Sequence, residues 1–212
     1  MPSRGARAVE RAVAWVEERK PDLVCLTGDL LSRPGGASQL ESLLTRLGRP
    51  YVVLGNHDLD ISRDPFSRPA ELRSLPAGRL LADSAEDVEL RGVRVQLAGV
   101  DPRSWLARRG SGFGDSDAPL RILLCHFPTA LDRVPEGRWH LLLAGHLHAG
   151  QIVIPLPGRS LRLSHLREPH VHGLYTGPPA VLHVSAGLGT TFVPFRFFAR
   201  PEATDLVLRA AA

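Results

Sequence analysis

Ala144-Gly145-His146-Leu147-His148-Ala149-Gly150-Gln151 follows directly on the apolar run Leu141-Leu142-Leu143. A short, wholly apolar run before a polar stretch reads as a strand buried on both faces. Side chains alternate along a strand, so positions i and i+2 point the same way. His146 and His148 are therefore expected to aim both imidazoles at one spot, at the strand's end. Two histidines alone also suit a loop, and their meaning depends on how the earlier strands end.

Those strands can be found in order. Val9, Ala12, Val13 and Val16 keep i, i+3, i+4, i+7 spacing, which predicts an amphipathic helix from Arg7 to Lys20, stopped by Pro21. Leu23-Val24-Cys25-Leu26 predicts a strand buried on both faces and ends in Thr27-Gly28-Asp29. After a Pro/Gly turn, Ser38 and Glu41 form a capping box for a second helix carrying Leu40, Leu43, Leu44 and Leu47. Tyr51-Val52-Val53-Leu54 is the next buried strand, ending in Gly55-Asn56-His57-Asp58. Helix, strand, helix, strand is the order of a parallel α/β sheet.

The middle of the chain changes character. A short helix is expected from Pro69 to Leu75, then a hairpin in which Arg91-Gly92 turns Val88 and Leu90 into Val93, Val95 and Leu97. Pro102 to Ala118 reads as a loop. Ile122-Leu123-Leu124-Cys125 resumes the buried strands and ends in His126. Short strands are expected at Val171–Tyr175, Val181–Val184 and Asp205–Arg209. No linker separates independent units, so residues 1–212 are expected to form one domain.

Composition is that of an ordinary soluble protein, 43% hydrophobic and 23% charged. The formal charge is +4, carried almost wholly by scattered arginines, since Lys20 is the only lysine. Without a block of like charge, a solvated surface is favoured over nucleic-acid binding. Cys25 and Cys125 sit in apolar runs, as buried reduced thiols do. No apolar stretch approaches the roughly 18 residues of a membrane span, and Met1 leads straight into a helical pattern without a secretory signal. The chain as written is expected to be soluble and cytoplasmic.

Four apolar strands thus end in Asp29, Asn56, His126, and His146 with His148. Any one of these suits a turn, cap or core histidine; four successive strand ends together do not. Ligands gather beyond the carboxyl ends of strands in open α/β sheets, and mixed carboxylate, amide and imidazole donors suit Mn, Fe or Zn. The series Gly28-Asp29, Gly55-Asn56-His57-Asp58, His126 and Gly145-His146-Leu147-His148 resembles the motifs of the calcineurin-like metallophosphoesterases. With Ala149-Gly150-Gln151, the run Ser185-Ala186-Gly187-Leu188-Gly189-Thr190, Pro194, Arg196 and Pro201-Glu202, it is similar to the YkuE-like branch.

The resemblance implies a four-layer α/β/β/α sandwich of two mixed sheets, with two divalent metals between loops at the sheet edges. Carried over, Asp29 bridges both metals, Asn56, His126 and His146 complete the second site, and His148 belongs to the first. His57 faces the scissile phosphate, where an imidazole is suited to protonate a leaving oxygen, while a metal-bound hydroxide attacks phosphorus. The implied substrate is a phosphodiester or phosphomonoester, including lipid-like ones, with peripheral membrane association if an N-terminal segment is missing.

One part of the pattern is lacking. The family begins with a strand ending in Asp-x-His; here the first 20 residues hold no histidine and the first aspartate is Asp22, before a strand. The first site is expected to keep only Asp29 and His148. The chain is then either an incomplete version of a longer protein, which the retained ligands favour, or a variant with one metal or none, acting as a catalytically impaired scaffold. His165, His170 and His172 read as loop residues, His183 as structural, and Arg159, Arg162 and Arg167 as a solvated face.

Overall fold

The computed structural model describes residues 4–31, 34–59, 61, 72–108 and 117–209. The chain runs α1 (Arg4–Arg19), β1 (Cys25–Leu26), a 3-10 turn at Pro34–Gly36, α2 (Ala37–Arg46) and β2 (Tyr51–Val52). It continues through β3 (Arg79–Leu80), β4 (Ser84–Leu90), β5 (Val93–Gly99), α3 (Pro102–Leu106) and β6 (Leu120–Leu124). A 3-10 turn at Pro128–Asp132 leads to β7 (Leu141–Ala144), followed by β8 (Val153–Leu156), β9 (Arg159–Arg162), β10 (Gly173–Thr176) and β11 (Val181–Val184).

Two sheets face each other. The smaller has the order β1-β2-β3, all parallel. The larger has the order β10-β11-β7-β6-β5-β4; its four inner strands are parallel and its edge strands β10 and β4 antiparallel, so it is mixed. The pleat sorts the larger sheet's side chains. Val95, Leu97, Ile122, Leu124, Leu141 and Leu143 meet Tyr51, Val53 and Leu81 between the sheets. Ala98, Leu123, Leu142 and Leu182 point the other way, against Trp105, Leu131, Val134 and Trp139. Burial on both faces explains the uninterrupted apolar sequence of these strands. Leu40 and Leu44 of α2 cover the smaller sheet's outer face at Val52 and Leu54, and Arg46 joins α2 to Glu10 and Glu17 of α1. The result is the α/β/β/α layering expected, with a thin outer layer of α3 and turns on the larger sheet.

Several local expectations are corrected. Leu23–Leu26 is only half-buried, because β1 is an edge strand. Ser38 caps nothing. The 3-10 turn at Pro34–Gly36 runs straight into α2, which puts Ser38 inside the helix with Gly36 at its N-cap, and Glu41 instead accepts a bond from the Ala77 amide. Part of the expected loop after Pro102 is α3, capped by Asp101, whose carboxylate accepts from the Arg103 amide. The hairpin β8–β9 stands where no strand was expected, β10 begins at Gly173 rather than Val171, and Asp205–Arg209 pairs with nothing in a ladder. The helix expected from Pro69 falls largely outside the described residues, and its described end, 72–75, is irregular. The Arg91-Gly92 turn is as expected, both residues at positive φ between β4 and β5. Both cysteines are free, on opposite faces of the larger sheet, and burial pushes the Cys125 thiol up to about 12.

The sheets are in close contact at Gly99, where a Cβ would collide with Leu81 and Val53. Gly99→Ala is expected to destabilise the fold by about 2 kcal/mol through overpacking, read as a lower urea midpoint at unchanged slope.

Candidate metal centre

The loops after β1 and β2 are in contact. Gly28 has φ +96°, and a Cβ on it would stand 2.5 Å from the Gly55 amide nitrogen; a Cβ on Gly55 would collide with the Asp29 carboxylate. Only glycine tolerates both the positive φ and the approach. Asp58, with no exposed surface, locks the contact. One of its oxygens accepts from the amides of Leu30 (2.7 Å) and Leu31 (2.8 Å), the other from that of Gly55 (2.9 Å). Burial, then the charge of Asp29, pushes Asp58 up to about 6, against the pull of these donors.

Asp29 is thereby placed beside the end of β6. Its Oδ1 accepts from the His57 amide at 2.9 Å, and its Oδ2 lies 3.3 Å from Nε2 of His126. The same Nε2 is 3.0 Å from Oδ1 of Asn56 and 3.1 Å from Nδ1 of His146. On the other side of its ring, His126 donates from Nδ1 to the Thr27 carbonyl at 2.7 Å. That bond fixes the tautomer and leaves the Nε2 lone pair for the cluster, the arrangement usual for a metal-ligating imidazole. Donor atoms of Asp29, His126 and His146 all lie within 4.8 Å of one another.

The electrostatics suit a cation. Burial raises the Asp29 carboxyl, yet His126 and His57 more than offset this and hold it well below the usual carboxylate range. Burial lowers His126, but Asp29 outweighs it and raises it. Burial, then the neighbouring His126, pushes His146 down to about 3, so its imidazole is neutral. Asp29, Asn56 and His146 present lone pairs, His126 presents one when a cation displaces its Nε2 proton, and the donor set fits a borderline divalent ion.

His148 is not part of this cluster. The strand β7 ends at Ala144, and the backbone beyond turns through positive φ at His146 (71°), His148 (49°) and Ala149 (54°). Strand alternation does not apply there, and the two imidazoles take different partners. Nδ1 of His148 accepts from Arg196 at 3.1 Å, and its Nε2 meets the Thr191 hydroxyl at 2.9 Å. Burial, then Arg196, pushes His148 down to about 4. Arg196 also binds the carbonyls of His148, Ala186, Gly187 and Gly189. His146 and His148 nevertheless line one narrow cleft, together with Asp29 and residues 185–189.

The profile of the family described as Calcineurin-like phosphoesterase matches residues 3–150. The chain belongs to that family. It is 27% identical to the uncharacterized metallophosphoesterase YkuE of Bacillus subtilis (strain 168), covering 95% of this chain and 73% of that protein. This places it in the YkuE-like branch of the calcineurin-like phosphoesterases. It is also 25% identical to the phosphodiesterase YaeI of Escherichia coli (strain K12), over 94% of this chain and 75% of that one. The NAD nucleotidase NadN of Haemophilus influenzae shares the fold, with TM-score 0.50 and 15% identity over 85% of this chain and 43% of NadN.

Three further residues belong to this region of the phosphoesterase. Arg196 and Thr191 hold His148 from the segment after β11. His165, in the loop after β9, sets its ring 5.5 Å from that of His146. His170, His172 and His183 lie elsewhere: His170 stacks on Tyr175, His172 pairs with Glu202, and His183 is buried in β11. Asp58→Ala would strand three amides without an acceptor and is expected to cost about 3 kcal/mol or more. Asp58→Asn, which keeps one acceptor oxygen, should cost less; urea unfolding of both variants measures the difference.

Proposed function

We propose that this chain is a metal-dependent phosphoesterase in which Asp29, Asn56, His126 and His146 hold a divalent cation of the Mn, Fe or Zn type. The observation that carries the reading is the convergence of Asp29, Asn56 and His146 on one His126 nitrogen whose ring is locked by the Thr27 carbonyl. A cation bound there supplies a Lewis acid that polarises a phosphoryl oxygen and makes water a nucleophile at neutral pH. Asp29 contributes negative charge, His126 and His146 contribute neutral imidazole, and the amide of His57 keeps the Asp29 carboxylate oriented. To the His57 imidazole we assign proton transfer to the leaving oxygen; its backbone is pinned to Asp29 and its side chain is buried. Similarity to a protein named as a phosphodiesterase supports a diester substrate, and a lipid-like phosphoester is within the same chemistry.

A second reading rests on His148. Both its ring nitrogens are engaged, by Arg196 and Thr191, which favours one ion per chain over two and an impaired scaffold over a full binuclear enzyme. Metal analysis after loading with Mn, with hydrolysis of bis(p-nitrophenyl) phosphate, tests both readings. Asp29→Asn and His126→Ala are expected to lose metal and activity together. His57→Ala should keep its metal while kcat falls by about a hundredfold or more. Hydrolysis that survives chelation unchanged would overturn the proposal; metal bound without hydrolysis would favour the scaffold.

A further inference from the structure

The hairpin β8–β9 leaves the centre and returns to it. It follows His148 by a few residues, and its return strand leads into His165, which touches His146. Its register sorts its two faces. Ile154 pairs with Leu161 and Leu156 with Arg159, and Leu163 bonds back to Ile152. Paired residues and their i±2 neighbours share a face, so Ile152, Ile154, Leu156, Leu161 and Leu163 lie on one side. Phe197 joins them through a single parallel bridge to Ile152. The opposite side carries Val153 and Arg162, and the Arg162 stem lies against Gly150, so that side looks back at the body of the chain.

The ribbon therefore turns its apolar face outward. Leu161 is 45% exposed, Leu163 53% and Phe197 46%, and Phe198, edge-on to Phe197, is 68% exposed. A contiguous exposed apolar surface of this kind marks an interaction site. The charge beside it selects the partner. Of the five arginines in residues 151–200, Arg162 lies on the body side and Arg196 is bound to His148, which leaves Arg159, Arg167 and Arg200 exposed against Glu168 alone. Arg159 stands at the ribbon's tip on the apolar side, and Arg167 and Arg200 are exposed nearby in sequence. Among the described residues no helix is long and apolar enough to cross a membrane.

We infer that this ribbon is a docking surface for an anionic lipid bilayer, its leucines and phenylalanines entering the interface and its arginines meeting the headgroups. Apolar insertion joined to arginine attraction is the combination that holds peripheral proteins on anionic membranes. Because both ends of the ribbon are fastened at the metal centre, docking would hold that centre at the headgroup level. The inference rests on the phosphoester reading only for what the docked chain acts on.

Co-sedimentation with vesicles tests it without reference to hydrolysis, so its failure and that of the proposed activity are distinguishable. The chain is expected to bind phosphatidylcholine vesicles containing phosphatidylglycerol, and far less to phosphatidylcholine alone. Leu161→Asp combined with Leu163→Asp should abolish binding at an unchanged thermal midpoint. Arg159→Gln and Arg167→Gln should each weaken it about fivefold. Absence of binding to the anionic vesicles would overturn the inference, as would binding unaffected by the leucine substitutions. A stable dimer in sedimentation velocity that the same leucine substitutions dissociate would also overturn it, by assigning the face to a second copy.

Discussion

Three amides from two loops converge on the Asp58 carboxylate, and the placement of Asp29 and Asn56 depends on that convergence. Strands β1 and β2 are paired over only two residues each, too short a ladder to align the loops beyond them. Gly28 and Gly55 allow the loops to touch, and the carboxylate holds them there. A buried charge is costly, and three amide donors are the usual means of offsetting it. Once the loops are fixed, the His57 amide turns Asp29 toward His126. The order of dependence runs from glycine, through Asp58, to the ligand.

His126 carries that order from one sheet to the other. It stands at the end of β6 in the larger sheet and donates to the carbonyl of Thr27, beyond β1 in the smaller one. The centre is consequently a cross-sheet structure, and the spacing of the sheets sets the spacing of its ligands. Leu81, Val53 and the bare Cα of Gly99 fix that spacing at the core. Packing between residues that are not themselves candidate ligands thus bears on the site's geometry, because close-packed interiors transmit small displacements.

Much of this was legible in the sequence. Strands buried on both faces have no polar alternation to confuse them, and the residues where they stop are conspicuous. Asp29, Asn56, His126 and His146 stood out for that reason. Conformations that composition does not encode were hidden. Nothing in His146-Leu147-His148 announces a left-handed turn, so the pair looked equivalent, yet His146 joins His126 and His148 joins Arg196 and Thr191. Ser38 and Glu41 have the spacing of a capping box, but the 3-10 turn ahead of them had already started the helix. In Asp101-Pro102 the cap and first-turn proline of α3 were present, masked by the glycine and serine that follow. The role of Asp58 was hidden because its partners are backbone amides, which leave no trace in side-chain patterns. Arg196 was visible only as part of a resemblance; its target, His148, lies 48 residues away.

The hairpin β8–β9 shows the limit of period-two reasoning from the opposite direction. Alternation says which residues share a face, and the register of Ile154 with Leu161 makes that assignment firm. Alternation does not say which way the face looks. In β6 and β7 a second layer waits on each side, and apolar residues turn toward it. For β8–β9 the body of the chain offers Gly150, which receives the Arg162 stem, and Leu156, Leu161 and Leu163 of the apolar face are left to solvent. Loss of water from that face is the largest favourable term still open to this segment, and within the described residues nothing in the chain supplies it. An apolar face turned outward, with Arg159 at its tip and the candidate metal centre at its root, is thus a statement about an external surface rather than about the core.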